Sequence, residues 1–415
     1  MVANADRSLV VELKGSKDVH AEILQEVSEF SFVLGGPVYR LLRRIGLCGE
    51  RLDLLRRRMI IIAVFAWLPL LLLSLYEGRY AHFDGLTMPF WTDVEIHVRF
   101  LVALPFLLAT ESAVQKFLSP RIRGFIDRNI IRDEDITKFR SAIRFSYKMR
   151  DSVLVEIILI VLVYTVGIWV YGNEVASASS LSWYATPYGQ HWNLTAAGYW
   201  LVFFSLPLFQ FFLIRSYYRI LIWFVFLWRV SRLDLNLIST HSDRTAGIGF
   251  LSKCPYAFSY FLMAQGALLS GYIADQVIHQ GQDVRGFKTL IIAFVVIFMF
   301  AVYGPLLVFA PRLVRAKWEA LAVYGVLASG YIEKFQNKWI AGVNPEQENL
   351  LGTGDIQSLA DLSNSYSVIE ETRGVPFGLY DVAYMAGLTV MPLAPLMLFV
   401  FSVDQLLELL IKIFL

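Results

Sequence analysis

His241, Asp243 and Arg244 form the one compact polar cluster in the chain whose types and spacing suggest chemistry. A histidine and a carboxylate two residues apart can both reach a metal ion, and a histidine beside an arginine can clamp a phosphate or a lipid headgroup. Two ligands fall short of the three or more that a zinc site takes from the protein, so no metal centre is expected. The same residues also suit a structural role. Asp243 can cap the helix leading into the next apolar segment, Arg244 can anchor among headgroups, and Gly247 and Gly249 permit close packing.

A second set of capable side chains sits within apolar runs. Glu111, Glu156, Gln210, Gln265 and Asp275 lie inside segments otherwise built of Leu, Ile, Val and Phe, and Arg215 and Arg219 follow one of them. A charge at mid-depth in a bilayer costs at least a few kcal/mol and marks a pathway or a partner, although side chains close to a boundary can also snorkel to the headgroups. Arg215 and Arg219 are four residues apart and share a helix face. Glu156 would lie near them at equal depth if sequential segments are neighbours. The expectation is a contact of Glu156 with Arg215 or Arg219 at the cytoplasmic mouth of a conduit, with a structural ion pair as the plainer alternative.

The elements that must position these groups follow from composition. Of 415 residues, 56% are hydrophobic and only 17% charged, and the charges are swept out of long apolar blocks. Each block approaches the roughly 20 residues a helix needs to cross hydrocarbon, where a helix satisfies its own backbone. The fold class expected is all-α, a polytopic transmembrane bundle of about seven spans with amphipathic cytoplasmic helices. The spans read as Met59 to Tyr76, Val98 to Leu118, Ser152 to Gly172, Thr195 to Ile214, Ala257 to His279, Thr289 to Ala310 and Leu379 to Ser402. Ile220 to Val230 is short and flanked by Arg219 and Arg229, so it reads as an interfacial or bundle-packed helix rather than a span. Arg312 to Ile340 reads as a cytoplasmic helix that can continue the sixth span. The last span carries Pro392 and Pro395 and could instead be a re-entrant pair.

Four regions result: an amphipathic cytoplasmic segment 1–58; a six-span bundle 59–310 with cytoplasmic loops 119–151 and 215–256; a cytoplasmic helix and polar segment 311–378; and a last span with an amphipathic tail, 379–415. In this arrangement every one of the 37 Lys and Arg residues except Arg79, Arg99, Arg285, Lys288 and Lys412 is cytoplasmic. The positive-inside rule then places the amino terminus in the cytoplasm. No secretory signal peptide is read, because the first 58 residues are charged throughout. Cys48 and Cys254 fall on the reducing side, and no disulfide is expected. The basic helix with Arg40, Arg43, Arg44, Arg51 and Arg56 to Arg58 is expected either against anionic lipid headgroups, which makes the bilayer itself the first partner, or packed against the cytoplasmic ends of the bundle.

Two stretches, LNLISTHSDRTAGIGFL over Leu235 to Leu251 and DIQSLADLSNSYSVIEETRGVPF over Asp355 to Phe377, resemble a group of uncharacterised multi-spanning membrane proteins of bacteria. That group shows a His-Pro-Asp-Arg run followed by paired glycines, and this chain departs from it at Ser242 and Ala246. The resemblance implies a bacterial inner-membrane location and brings no activity.

No HExxH, no Walker or kinase signature and no Ser/His/Asp or Cys/His set occurs, and Gly247-Ile248-Gly249 is too short for a phosphate loop, so no cofactor is expected. A net charge of +2 gives no nucleic-acid reading. The function expected first is a channel or transporter subunit for an ion or small solute, which can be a homo-oligomer. The alternatives are a membrane-embedded enzyme acting on lipid headgroups through His241, Asp243 and Arg244, and a non-catalytic signalling or assembly protein that docks a partner through Asn344 to Arg373.

Overall fold

Arg58, Ile62, Ala66, Leu70 and Ser74 recur every fourth residue and are all buried, whereas Ile60, Ile61, Val64, Phe65, Leu68, Leu72 and Leu75 between them are exposed. An apolar helix that buries one stripe, with its polar and small residues Arg58, Ala66 and Ser74 in it, and exposes Ile, Val, Leu and Phe elsewhere is built for lipid, where the outer face needs only to be apolar. The computed structural model describes residues 35–44, 46, 54–81, 88–167, 182–188, 191–341 and 353–399, and that stripe belongs to its second helix.

The helices are α1 (Gly36–Arg44), α2 (Leu55–Tyr76), α3 (Val94–Asp127), α4 (Ile136–Arg150), α5 (Val153–Gly167), α6 (Ala196–Ser231), α7 (Gly249–Gln280), α8 (Val284–Ile340), α9 (Gly354–Glu370) and α10 (Leu379–Phe399). Six of them, α2, α3, α6, α7, α8 and α10, are long and apolar enough to cross a membrane, and α5 is a shorter apolar helix. The chain is an all-α, multi-pass membrane protein. Its described residues include one hairpin outside the helices, β1 (Ala185–Tyr188) against β2 (His191–Leu194), antiparallel with Ala185 opposite Leu194.

Caps fix several starts. Asp93 accepts the Ile96 N–H at the head of α3, Ser152 the Val155 N–H at α5, and Thr195 the Gly198 N–H at α6. The side-chain oxygen in each case satisfies an N–H that the first turn leaves open. Helices α3 and α7 form the centre, antiparallel and in contact along their length, with Phe106 stacked on Tyr260 and Phe117 on Tyr256. Gly266 lets α10 approach, because a Cβ there would overlap the Thr389 carbonyl oxygen. Ala264, Ala267, Ser270 and Gly271 are buried with it.

The structure decides three alternatives that the sequence leaves open. Ile220 to Val230 is no separate helix but the continuation of α6, which runs unbroken for 36 residues. Its Trp223, Phe226 and Val230 are buried, and Phe226 meets Phe139 of α4. A neighbouring helix rather than lipid covers this apolar face. The sixth span and the helix after it are one 57-residue helix, α8, about 85 Å long at 1.5 Å per residue. Pro311 does not end it, since a proline one residue inside a new helical stretch needs no N–H donor. The last span is a single helix that tightens over Met391–Phe399 and absorbs Pro392 and Pro395 without reversing. The amphipathic tail 404–415, Cys48, Arg51, most of segment 1–58 and residues 342–352 of the polar segment lie outside the described residues.

Candidate functional site

The buried charges gather where α2, α3, α5 and α6 meet. Glu111 of α3 lies between two guanidinium groups: Arg58 Nη1 of α2 at 2.8 Å from one carboxylate oxygen and Arg219 Nη2 of α6 at 2.7 Å from the other. Arg58 also donates to the Leu108 carbonyl at 3.1 Å. One turn back along α6, Arg215 Nη2 is 3.7 Å from Glu156 Oε1 in the first turn of α5. All five residues are buried: Arg58 1%, Glu111 4%, Arg219 6%, Glu156 7% and Arg215 8% exposed. Isolated, any one of these charges would carry a penalty of several kcal/mol in a low-dielectric interior, and the pairing offsets it.

Depth follows from helix geometry. Arg215 is about 28 Å along α6 from Ala196, close to one hydrocarbon thickness. The cluster thus sits at the end of the apolar zone far from Ala196, on the side of the bundle that carries α4 and the extended part of α6. A cavity of about 20 Å³ opens beside it, lined by Arg150, Ser152, Glu156, Arg215, Tyr218 and Arg219 among others, with room for a water molecule. Tyr218 is held at its wall by donating to the Met149 carbonyl at 3.0 Å. Arg215 Nη1 is buried and finds no hydrogen-bond acceptor among the described residues.

The contact expected between Glu156 and Arg215 is present; Arg219 turns instead to Glu111. Two members fall outside the expected site. Arg58 reads in sequence as the last of a basic run facing lipid, yet it points inward while Arg56 and Arg57 are exposed, because it heads the every-fourth-residue stripe of α2. Glu111 stands out in sequence only as one intramembrane acid among several. The readable signal is Arg58 in phase with Ala66 and Ser74, the small positions of that stripe.

Gln210 is apart from the cluster and packed against α5, its Oε1 occupying the space that a Cβ on Gly167 would need. Asp275 is at the other end of the bundle, 3.4 Å from His279 Nε2 on the next turn of α7. Gln265 is buried in α7 with its Nε2 unpartnered among the described residues.

His241, Asp243 and Arg244 do not converge on a shared space. The Asp243 carboxylate accepts the backbone N–H of Thr245 at 2.9 Å, Gly247 at 3.1 Å and Gly249 at 2.9 Å, and His241 Nδ1 lies 3.1 Å from it. Arg244 points away to Glu371 at 2.9 Å, and its carbonyl accepts the Arg373 N–H. Arg244, Ala246 and Gly247 all have positive φ, at 55°, 52° and 95°. A loop bent through three such residues is held by the carboxylate that gathers its amides. Asp243 therefore staples the loop ahead of α7. Burial would raise its carboxyl, but the three N–H groups and His241 outweigh that and hold it below the ordinary carboxylate value.

Among the described residues no group of three or more His, Cys, Asp or Glu side chains could hold a metal ion. No protein-family model matches the chain, and comparisons with curated proteins and with solved structures find no significant similarity.

Proposed function

We propose that the protein is a channel or transporter subunit for an ion or small solute, with the cluster of Arg58, Glu111, Arg219, Arg215 and Glu156 forming the inner constriction of its pathway. The observation that carries this reading is Arg215: a buried guanidinium with an unsatisfied N–H, lining a water-sized cavity beside Glu156. A buried cation kept partly unsatisfied at the end of the apolar zone is costly unless a passing ligand completes it. With three guanidinium groups to two carboxylates, the constriction favours a small anion. The orientation that fits the distribution of Lys and Arg puts the cluster on the cytoplasmic side of a bacterial inner membrane, amino terminus inside.

The test is flux into liposomes holding the purified full-length protein. Anion uptake that falls on Arg215→Gln supports the reading. The absence of flux for any ion or solute under any gradient or membrane tension removes it. A lipid-headgroup enzyme built on His241, Asp243 and Arg244 has less support, since Asp243 is engaged by backbone amides and Arg244 by Glu371.

A further inference from the structure

A second cavity, of about 370 Å³, opens at the carboxyl-terminal end of α3 against the first turns of α7, and its lining includes Arg121, Gly124, Asp127, Arg128, Phe250 and Lys253. We propose that this pocket binds a phosphate group at the membrane surface, with Arg121 and Arg128 as its principal ligands. The site is distinct from the buried cluster and does not depend on a conduit.

Arg121 and Arg128, the residue that caps the end of α3, are seven residues apart, about two helical turns, and both line the same pocket at that end. Each guanidinium is laid on an aromatic ring: Arg121 Cζ is 5.4 Å from the centroid of Phe117, and Arg128 Cζ is 5.0 Å from that of Phe250. Stacking fixes the plane of a guanidinium while leaving its N–H edge open, and that edge matches the oxygens of a phosphate. Gly124 lies between them. A Cβ there would come within 3.2 Å of the Phe250 ring, so the missing side chain lets the ring settle on α3 and leaves the space between the arginines unfilled.

The charge balance leaves these two arginines available. Asp127, the acid of the pocket, is 3.3 Å from Arg123, and Lys253 is 2.7 Å from Asp381. Neither Arg121 nor Arg128 has a carboxylate at ion-pair distance among the described residues. Two preoriented cations without counter-charges among the described residues, beside a third shared with Asp381, make a receptor for an anion with several oxygens.

Position narrows the source. Arg121 is about 40 Å along α3 from Val94, the depth at which a bilayer presents its headgroups. The phosphate of an anionic phospholipid would meet the pocket there, and so would free inorganic phosphate from the adjoining water.

Native mass spectrometry of the full-length protein in neutral detergent separates the two, with phosphatidylglycerol, phosphatidylcholine and inorganic phosphate each titrated alone. Retention of one phosphatidylglycerol in preference to phosphatidylcholine, weakened on the order of tenfold in Arg121→Gln/Arg128→Gln, supports the proposal with lipid as the source. Retention of inorganic phosphate with the same loss supports it with a soluble source. The Arg132→Gln variant, whose side chain is exposed, lies outside the pocket lining and pairs with Asp234, should bind as the parent does. Should the double variant not fold, Arg128→Gln alone serves, since that side chain is exposed. Binding of neither phosphate source by the parent protein, or equal binding by parent and variant, overturns the proposal.

Discussion

Arg219 donates to Glu111 at 2.7 Å across a separation of 108 residues, tying α6 to the middle of α3. Glu111 in turn holds Arg58 of α2, so a single carboxylate joins three helices. Its removal should therefore be felt as lost stability before it is felt as altered function. Glu111→Gln leaves two guanidinium groups buried without their shared counter-charge, and the expected loss is about 3–5 kcal/mol. Unfolding of the detergent-solubilised protein by denaturant reads it. A loss below about 1 kcal/mol would mean that water or lipid already solvates the arginines.

Asp243 should behave as a structural staple that acid removes. Its folded-state pKa is lower than the ordinary value of 3.8, so its contribution is complete above that value and is lost as pH falls through the folded one. Exchange of the Thr245, Gly247 and Gly249 amides should be slow at neutral pH and should quicken only in acid below 3.8. Asp243→Ala should make the same amides exchange fast at neutral pH and cost about 1–3 kcal/mol. Amides that stay protected in the variant would show that the positive-φ loop holds itself.

How much of this is readable in the sequence depends on the element. Apolar length and charge placement identify the membrane class and the span centres, since hydrocarbon imposes both. What a single segment cannot display is which face another protein element covers. Ile220 to Val230 reads as too short to cross, yet its partner α4, roughly 80 residues earlier, turns it into the buried end of a longer helix. Arg58 stands in a basic triplet, and only the in-phase Ala66 and Ser74 hint that it faces inward. The His241 to Arg244 cluster reads as chemical because its side chains are; the three backbone amides that occupy Asp243 have no sequence signature beyond the glycines.

The approach of α7 and α10 should depend on Gly266. A side chain there must displace the Thr389 carbonyl, which is backbone and cannot swing aside. Gly266→Val is expected to cost about 1–3 kcal/mol by overpacking, whereas Gly286→Val, with open space around it, should cost little. Thermal melts of the two variants compare them directly; equal melting temperatures would mean that α10 is not seated on α7.

Orientation across the bilayer can be read by chemical labelling. Single cysteines placed at Asn129 and Glu319 should react with a membrane-impermeant thiol reagent only from the cytoplasmic side, and cysteines at Tyr76 and Asp283 only from outside. Labelling of position 129 from outside would invert the topology.

The conduit is tested most directly by the reversal potential of the reconstituted protein in a planar bilayer under a salt gradient. The parent protein should conduct with a preference for the anion. Glu156→Gln should move the reversal potential further toward the anion equilibrium potential, and Arg215→Gln should move it toward the cation's, because each removes one sign of charge from the same constriction. Reversal potentials that stay equal in the parent and both variants, with all three folded and conducting, would place the pathway elsewhere and contradict the account.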